Sequence, residues 1–166
     1  MSLSRLHGAP CTAQPRCYRL AVKRFVSCLT GLLLFAGCST FQRDWNRLAN
    51  APAPSGIEGR WEGIWKSDVS RHTDRLRCIV SGSGEQTFLA RFHARYGKIF
   101  SFGYTVPLTA EQQGNQYDFS GEANPGWYAG GRYTYRGSAT TTNFLSTYRC
   151  KSDHGTFQMH RPSRRP

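Results

Sequence analysis

The fold is decided by an alternating stretch at residues 57–66, which reads Ile57-Glu58-Gly59-Arg60-Trp61-Glu62-Gly63-Ile64-Trp65-Lys66. Ile57, Trp61 and Trp65 fall on one face of an extended chain, because successive side chains of a β-strand point to opposite faces. The opposite face of the same stretch is largely charged. This period of two predicts a strand with one buried face.

The same period recurs along the rest of the chain, between short turn-forming segments. Residues 81–84, 112–115 and 124–126 are rich in Gly, Ser, Asn, Gln or Pro, which favour turns. An even, up-and-down series of short strands favours closure into a barrel, because closure removes exposed strand edges. The sequence therefore predicts an all-β domain over residues 57–162, an antiparallel up-and-down barrel of about eight strands.

The predicted inward faces of these strands are rich in aromatic side chains. An eight-stranded barrel is just wide enough to be filled by its own side chains or to hold one small ligand. Both alternatives stay open at this point. The candidate ligand-binding residues are the rings on those faces: Trp61, Trp65, Phe92, Phe102, Tyr104, Tyr133, Tyr135 and Tyr148.

The segments Gly59-Arg60-Trp61 and Gly63-Ile64-Trp65 resemble the Gly-x-Trp opening strand of lipocalins and the wider calycin group. The resemblance implies that a Trp closes one end of the barrel and that an arginine after the last strand packs on it. Arg161 is the barrel-closing candidate. The Thr-Asp-Tyr signature of the lipocalin family is absent from the sequence. The domain is most similar to small bacterial lipoproteins of calycin-like shape, a likeness that implies no activity.

An export signal precedes the predicted barrel. Lys23 and Arg24 are followed by about a dozen mostly apolar residues, too few to span a bilayer and typical of a signal peptide. The segment ends in Leu34-Phe35-Ala36-Gly37-Cys38, which resembles the bacterial lipobox, with Phe35 where Leu is usual. That resemblance implies cleavage before Cys38, lipidation of its sulfur and a lipid anchor in a membrane. Ser39 in place of Asp implies sorting to the outer membrane.

These features divide the chain into four predicted parts. Residues 1–37 form a helical signal peptide, of which residues 1–21 are expected to be an over-long gene model. Residues 38–56 comprise the lipidated cysteine and a flexible, Pro-rich tether. The barrel covers residues 57–162, and residues 163–166 form a basic tail.

Within the tether, Phe41 to Leu48 could form one or two helical turns, with Arg43, Asp44 and Arg47 pointing outward. The formal net charge is +12, and it falls to +7 after cleavage because residues 1–37 hold five basic residues and no acidic residue. A basic domain favours anionic neighbours such as membrane headgroups. A solvated basic surface is the simpler alternative.

Two cysteines, Cys78 and Cys150, remain in the exported chain besides Cys38. In an oxidising compartment they are candidates for a disulfide, and two unbonded thiols are the alternative. Two cysteines without a full set of ligands at zinc spacing make a poor zinc site, so we expect no metal site and no cofactor.

No established catalytic motif is present: the sequence lacks Gly-x-Ser-x-Gly, His-Glu-x-x-His and a phosphate-binding loop. A hydrolase would need polar groups that converge, and His72, His93 and His154 are the residues to follow in that respect. We therefore expect a non-enzyme.

The expected function is that of an outer-membrane-anchored lipoprotein of the bacterial cell envelope, facing the periplasm. Its barrel would bind a small apolar ligand or serve as a structural module. One alternative is a scaffold that contacts envelope proteins through Arg71, Arg75 and Arg77, and an envelope hydrolase is less favoured. Nucleic acid is not an expected partner.

Overall fold

The computed structural model describes residues 40–52, 56–97, 99–126 and 130–163. Within these ranges eight strands form one closed antiparallel barrel, in chain order. They are β1 Gly59–Ser67, β2 Thr73–Gly82, β3 Thr87–Tyr96, β4 Phe100–Gln113, β5 Gln116–Ala123, β6 Tyr133–Ala139, β7 Asn143–Arg149 and β8 His154–His160. The all-β, up-and-down barrel that the sequence predicts is confirmed. The segment predicted to be a signal peptide and Cys38 lie outside the described residues, as do residues 164–166.

The barrel closes through the pairing of β1 with β8, in which Trp65 lies opposite Phe157 and Ser67 opposite Gly155. Gly155 is required at this seam because a Cβ atom there would overlap the carbonyl oxygen of Lys66 and press on the ring of Tyr148. The period of two appears as alternating burial along each strand, most regularly in β7. Closure therefore depends on a small residue where two strands approach most closely.

The two ends of the barrel differ in character. We call the end that carries the connections after β1, β3, β5 and β7 the open end, and the other the closed end. At the closed end the rings of Phe119 and Phe144 have centroids 4.7 Å apart, and those of Trp61 and Phe144 are 5.6 Å apart. Apolar side chains therefore seal this end of the core.

A helix, α1, covers residues 40–49 and packs on the outer wall of β1, β2 and β3. Phe41 and Trp45 are buried, and with Ile79 they form a second small core outside the barrel. The flexible tether expected for residues 38–56 is thus corrected over residues 40–49. Among the described residues, no helix has the length and apolar character needed to cross a bilayer.

Basic side chains of the barrel wall hold α1 in place. Arg60 and Arg77 lie over the ring of Trp45, at 5.2 and 5.3 Å from its centroid. Arg91 donates a hydrogen bond of 2.7 Å to Asp44, so Asp44 faces the barrel and does not point outward as expected. Residues 40–163 accordingly contain the complete barrel and the helix packed on it.

Candidate functional site at the open end of the barrel

Arg161, the barrel-closing candidate that the calycin resemblance implies, lies at the closed end. The guanidinium carbon of Arg161 lies 3.7 Å from the centroid of the Trp61 ring. The indole N–H of Trp61 donates to the carbonyl oxygen of Ile57 at 2.8 Å. Trp61 is fully buried, and we call this pair, which closes the interior of the barrel at this end, the stopper.

The same guanidinium serves several main-chain acceptors. It donates to the carbonyl oxygens of Gly56 at 2.8 Å and Thr141 at 3.0 Å, and also to those of Glu58 and Arg60. Burial lowers the pKa of Arg161 to about 10, which leaves the side chain charged at neutral pH. One residue therefore ties the chain entering β1 to the turn between β6 and β7.

The middle of the barrel is occupied by rings. Phe92, only 2% exposed, lies 5.3 Å from Tyr104, 6.3 Å from Tyr135 and 5.3 Å from Phe157 between ring centroids. The hydroxyl groups of Tyr104 and Tyr135 are hydrogen-bonded to each other. The sequence left open whether the barrel is filled by its own side chains or holds a small ligand, and at this level it is filled. A separate groove of about 780 Å³ lies on the outside of the barrel, between α1 and the barrel wall.

Polar groups gather at the open end in what we call the mouth cluster, formed by Ser67, Tyr133, Tyr148, Cys150 and Asp153. The Asp153 carboxylate accepts hydrogen bonds from the Ser67 hydroxyl at 2.7 Å and the Tyr148 hydroxyl at 3.1 Å. Cys150 is hydrogen-bonded to Tyr133 and accepts a bond from the Asp153 main-chain N–H at 3.2 Å. The cluster thus joins β1, β6, β7 and the turn before β8 in one network.

Partial burial pushes the pKa of the Cys150 thiol upward, but hydrogen bonds from Tyr133, Ser152 and Asp153 outweigh it, so this pKa lies below its usual value. The opposite holds for the Cys78 thiol, whose pKa burial raises well above its usual value. The two thiols therefore have different environments, one at the mouth and one deep in the core.

The disulfide expected between Cys78 and Cys150 is not formed, and both are free thiols. Cys78 pairs across the sheet with Trp61, and Ser67 pairs with Gly155, beside the turn that holds Cys150. Cys78 lies inside the core on β2, whereas Cys150 lies at the mouth in the turn after β7, so the fold does not bring the two sulfur atoms together.

Beside the mouth cluster, Trp65, His72 and Tyr96 form a stack of rings. Ring centroids are 5.1 Å apart for Trp65 and His72, and 4.5 Å apart for His72 and Tyr96. The indole N–H of Trp65 donates to the carbonyl oxygen of Arg95 at 2.9 Å. Phe102 lies at the same end, 48% exposed, and its ring is 6.1 Å from that of Tyr104. The mouth therefore combines exposed apolar rings with hydroxyl, thiol and carboxylate groups.

The eight predicted ring positions consequently separate into three levels. Trp61 belongs to the closed end, and the remaining seven follow the barrel toward the mouth. Phe92, Tyr104 and Tyr135 lie in the middle, and Trp65, Phe102, Tyr133 and Tyr148 lie at the open end. Phe102 is half exposed rather than buried, because β4 extends beyond the level at which the barrel is filled.

Sequence reasoning did not name Ser67, Tyr96 or Asp153 as site residues, and it considered His72 only as part of a possible hydrolase. Tyr96 continues the inward face of β3 after Phe92, so its period could have identified it. No local signal links Ser67 to Asp153, which are 86 positions apart.

The three histidines lie in three different environments. His72 belongs to the mouth, with its Nε2 atom 3.6 Å from Asp74. His93 stacks under Phe41 on the outer wall, with centroids 4.9 Å apart. His154 is exposed at the start of β8, so the three do not converge. Within the described ranges, no three His, Cys, Asp or Glu residues are grouped so that they could hold a metal ion.

The buried tyrosines predict a loss of stability in alkaline solution. Burial raises the pKa of Tyr135 to about 12 and raises those of Tyr104, Tyr133 and Tyr148. In the unfolded chain these phenols ionise near pH 10. The stability they contribute is therefore complete below about pH 10 and declines as the pH rises toward 12 and beyond.

Urea unfolding between about pH 8 and pH 12, with phenolate absorbance read in parallel, measures this decline. Tyr135→Phe should make it less steep. An unfolding free energy that stays constant over this range would contradict the prediction.

Comparison with protein-family models, with curated proteins and with solved structures finds no match to this chain.

Proposed function

We propose that this protein is an outer-membrane lipoprotein, anchored through Cys38, whose barrel binds a small apolar ligand at the open end without catalysing a reaction. The observation that carries the proposal is the make-up of the mouth, where half-exposed rings of β3 and β4 lie at the same end of the barrel as a hydrogen-bonded polar cluster. Binding sites of this kind are lined mainly by apolar and aromatic side chains with a few placed polar groups. The mouths of β-barrels are a frequent location for them.

The levels of the barrel restrict where such a ligand can lie. The closed end is sealed by Arg161 and Trp61, and the middle is filled around Phe92. A ligand therefore meets the protein at Tyr96 and Phe102, above the filled level. Tyr133 and Cys150 offer hydrogen-bonding groups at its edge. The ligand class that fits is flat or chain-like and apolar, with one polar end.

The test uses the chain from Ser39 to Pro166, which retains the barrel and α1. Native mass spectrometry reports any molecule that co-purifies, and a fluorescent fatty acid serves as the titration probe. We expect a dissociation constant in the micromolar range, about −8 kcal/mol. Phe102→Ser should weaken binding at least about tenfold, about 1.4 kcal/mol, through lost apolar contact.

Leu145→Ser is the matched control, because Leu145 is 52% exposed and lies on the outward face of β7, away from the mouth. It should change the dissociation constant by no more than about twofold. A barrel that carries no molecule and does not bind the probe would exclude the proposal. Equal effects of Phe102→Ser and Leu145→Ser would exclude the mouth as the site.

A further inference from the structure

The turn between β3 and β4 displays the most exposed large apolar side chains among the described residues. Ile99 is 86% exposed and Phe100 is 71% exposed. Phe100 lies opposite Tyr96 in the ladder between the two strands. We call Ile99 and Phe100 the hairpin tip. Adjacent exposed apolar residues of this size on a soluble surface mark a site of contact with another apolar phase.

The strand ends beside the hairpin tip are tied together by side-chain contacts. Asp74 accepts hydrogen bonds from the main-chain N–H groups of Arg75 and Gly97, which join the start of β2 to the turn. On the other side, Tyr96 packs against His72 and Trp65, with centroids 4.5 and 6.1 Å apart.

The surroundings of the hairpin tip are basic. Arg71, Arg75 and Arg95 are exposed in the loop and strand ends of the same side. Two carboxylates lie on this side: Asp68 is exposed in the loop after β1, and Asp74 is hydrogen-bonded to main-chain N–H groups. Apolar side chains set among arginines match a surface that offers both acyl chains and anionic headgroups.

Further acidic residues lie at the opposite end, where fewer basic residues balance them. Glu85 is in the turn after β2, and Glu111 pairs with Asp118 beside the turn after β4. At the open end the basic residues outnumber the acidic ones, with Lys66, Arg71, Arg75, Arg95, Arg132, Arg149 and Lys151 against Asp68, Asp74, Glu122 and Asp153, so the charge of the barrel is polarised along its axis. An anionic surface would attract the open end and repel the closed end.

The course of the chain favours the same orientation. Phe41, in the first turn of α1 that the structure describes, lies over His93 in the half of β3 nearer the open end. Leu48 and Ala49, at its other end, line a groove with Gly59 near the closed end. The chain thus enters α1 from the side of the open end. Cys38 precedes Thr40 by two positions in the sequence.

We propose that the hairpin tip inserts into an anionic lipid surface, with Ile99 and Phe100 at the boundary between headgroups and acyl chains and the arginines at lipid phosphates. The open end of the barrel then faces the bilayer. This contact needs no acyl chain on the protein, so it goes beyond the anchor and the ligand site proposed above.

The experiment measures co-sedimentation of the unacylated chain, Ser39 to Pro166, with vesicles. Vesicles containing phosphatidylglycerol are compared with vesicles of phosphatidylcholine alone. We expect partitioning onto the anionic vesicles that weakens as salt is raised, because salt screens the arginines. The double variant Ile99→Ser, Phe100→Ser should lower the partition coefficient at least about tenfold. Arg71→Gln with Arg75→Gln should lower it by about tenfold as well.

The matched control is the double variant Ile64→Ser, Leu145→Ser, which removes exposed apolar side chains from the barrel wall and should leave partitioning unchanged. Circular dichroism checks that each variant is folded. Equal partitioning of the tip variant and the parent would overturn the proposal, as would a parent that binds neither kind of vesicle. Self-association that depends on the tip, without vesicle binding, would overturn it in favour of a second copy of the chain.

Discussion

Phe92→Ala is expected to lower the free energy of unfolding by about 3–5 kcal/mol. Phe92 is almost fully buried and touches Tyr104, Tyr135 and Phe157, which come from three different strands. Removing the ring forfeits its transfer free energy and leaves a cavity that a closed barrel cannot collapse, because its strands are hydrogen-bonded on both sides. Urea unfolding at neutral pH measures the loss.

Phe102→Ala is the control, since it removes the same ring from a half-exposed position at the mouth. It should cost about 1 kcal/mol or less. If both variants lowered the free energy of unfolding equally, burial in the middle of the barrel would not be the reason for the effect of Phe92→Ala, and the prediction would be wrong. Should Phe92→Ala fail to fold, Phe92→Leu, which retains more of the side-chain volume, still ranks above Phe102→Ala.

Arg161→Ala is expected to cost about 2–4 kcal/mol. The estimate combines hydrogen bonds from a charged donor, about 1.5–3 kcal/mol, with a cation–π contact of about 0.5–2 kcal/mol. The variant leaves the carbonyl oxygens of Gly56 and Thr141 without this donor and uncovers the ring of Trp61. Thermal unfolding should show a markedly lower midpoint.

Arg161→Lys separates the effect of charge from that of shape. A lysine keeps the positive charge but lacks the planar fork that reaches several carbonyls, so it should restore only part of the lost stability. Arg149→Ala, at an exposed position on β7, should have little effect. A loss for Arg161→Ala no greater than that for Arg149→Ala would show that the stopper is not a stabilising feature.

The fold could be predicted because it follows from the alternation of apolar and polar residues along each strand. Trp61 and Trp65 face one way, and the same alternation persists through β8, which leaves a closed sheet as the way to bury one face of every strand. One detail that the period does not explain is Pro107, which lies inside β4. β4 continues to Gln113, because Pro107 comes just before Leu108, the first residue of β4 that pairs with β5. A missing N–H at the start of that ladder interrupts little.

The sequence of helix α1 indicates a longer helix than the one or two turns predicted from it. Phe41, Asp44, Trp45 and Leu48 recur with helical spacing and form the face that meets the barrel. What the sequence could not supply was the receiving surface, formed by Ile79 and the arginines of three strands. The length of a helix so close to Pro52 is decided by packing more than by intrinsic propensity.

Only part of the mouth cluster could be predicted from the sequence. Tyr133 and Tyr148 follow from the period of their strands. Their partner Asp153 sits in a turn, where turn formation alone accounts for its presence. Ser67 reaches Asp153 only because β8 returns to β1, a contact that no pattern within either segment encodes. The absence of a disulfide has the same origin, since the level of a residue in the barrel depends on the register of every strand between.

The docking of α1 also changes how far the barrel could move from a membrane. A flexible tether over residues 39–55 would reach about 60 Å when extended, at roughly 3.5 Å per residue. With residues 40–49 packed as a helix, only two peptide units separate Thr40 from Cys38, a reach of about 7 Å. For a chain anchored at Cys38 as proposed above, the hairpin tip would then be held at a high effective concentration beside the bilayer. A contact between the tip and the bilayer that is weak for the free protein would therefore be occupied to a larger extent, because the short linker keeps the tip close to the lipid surface.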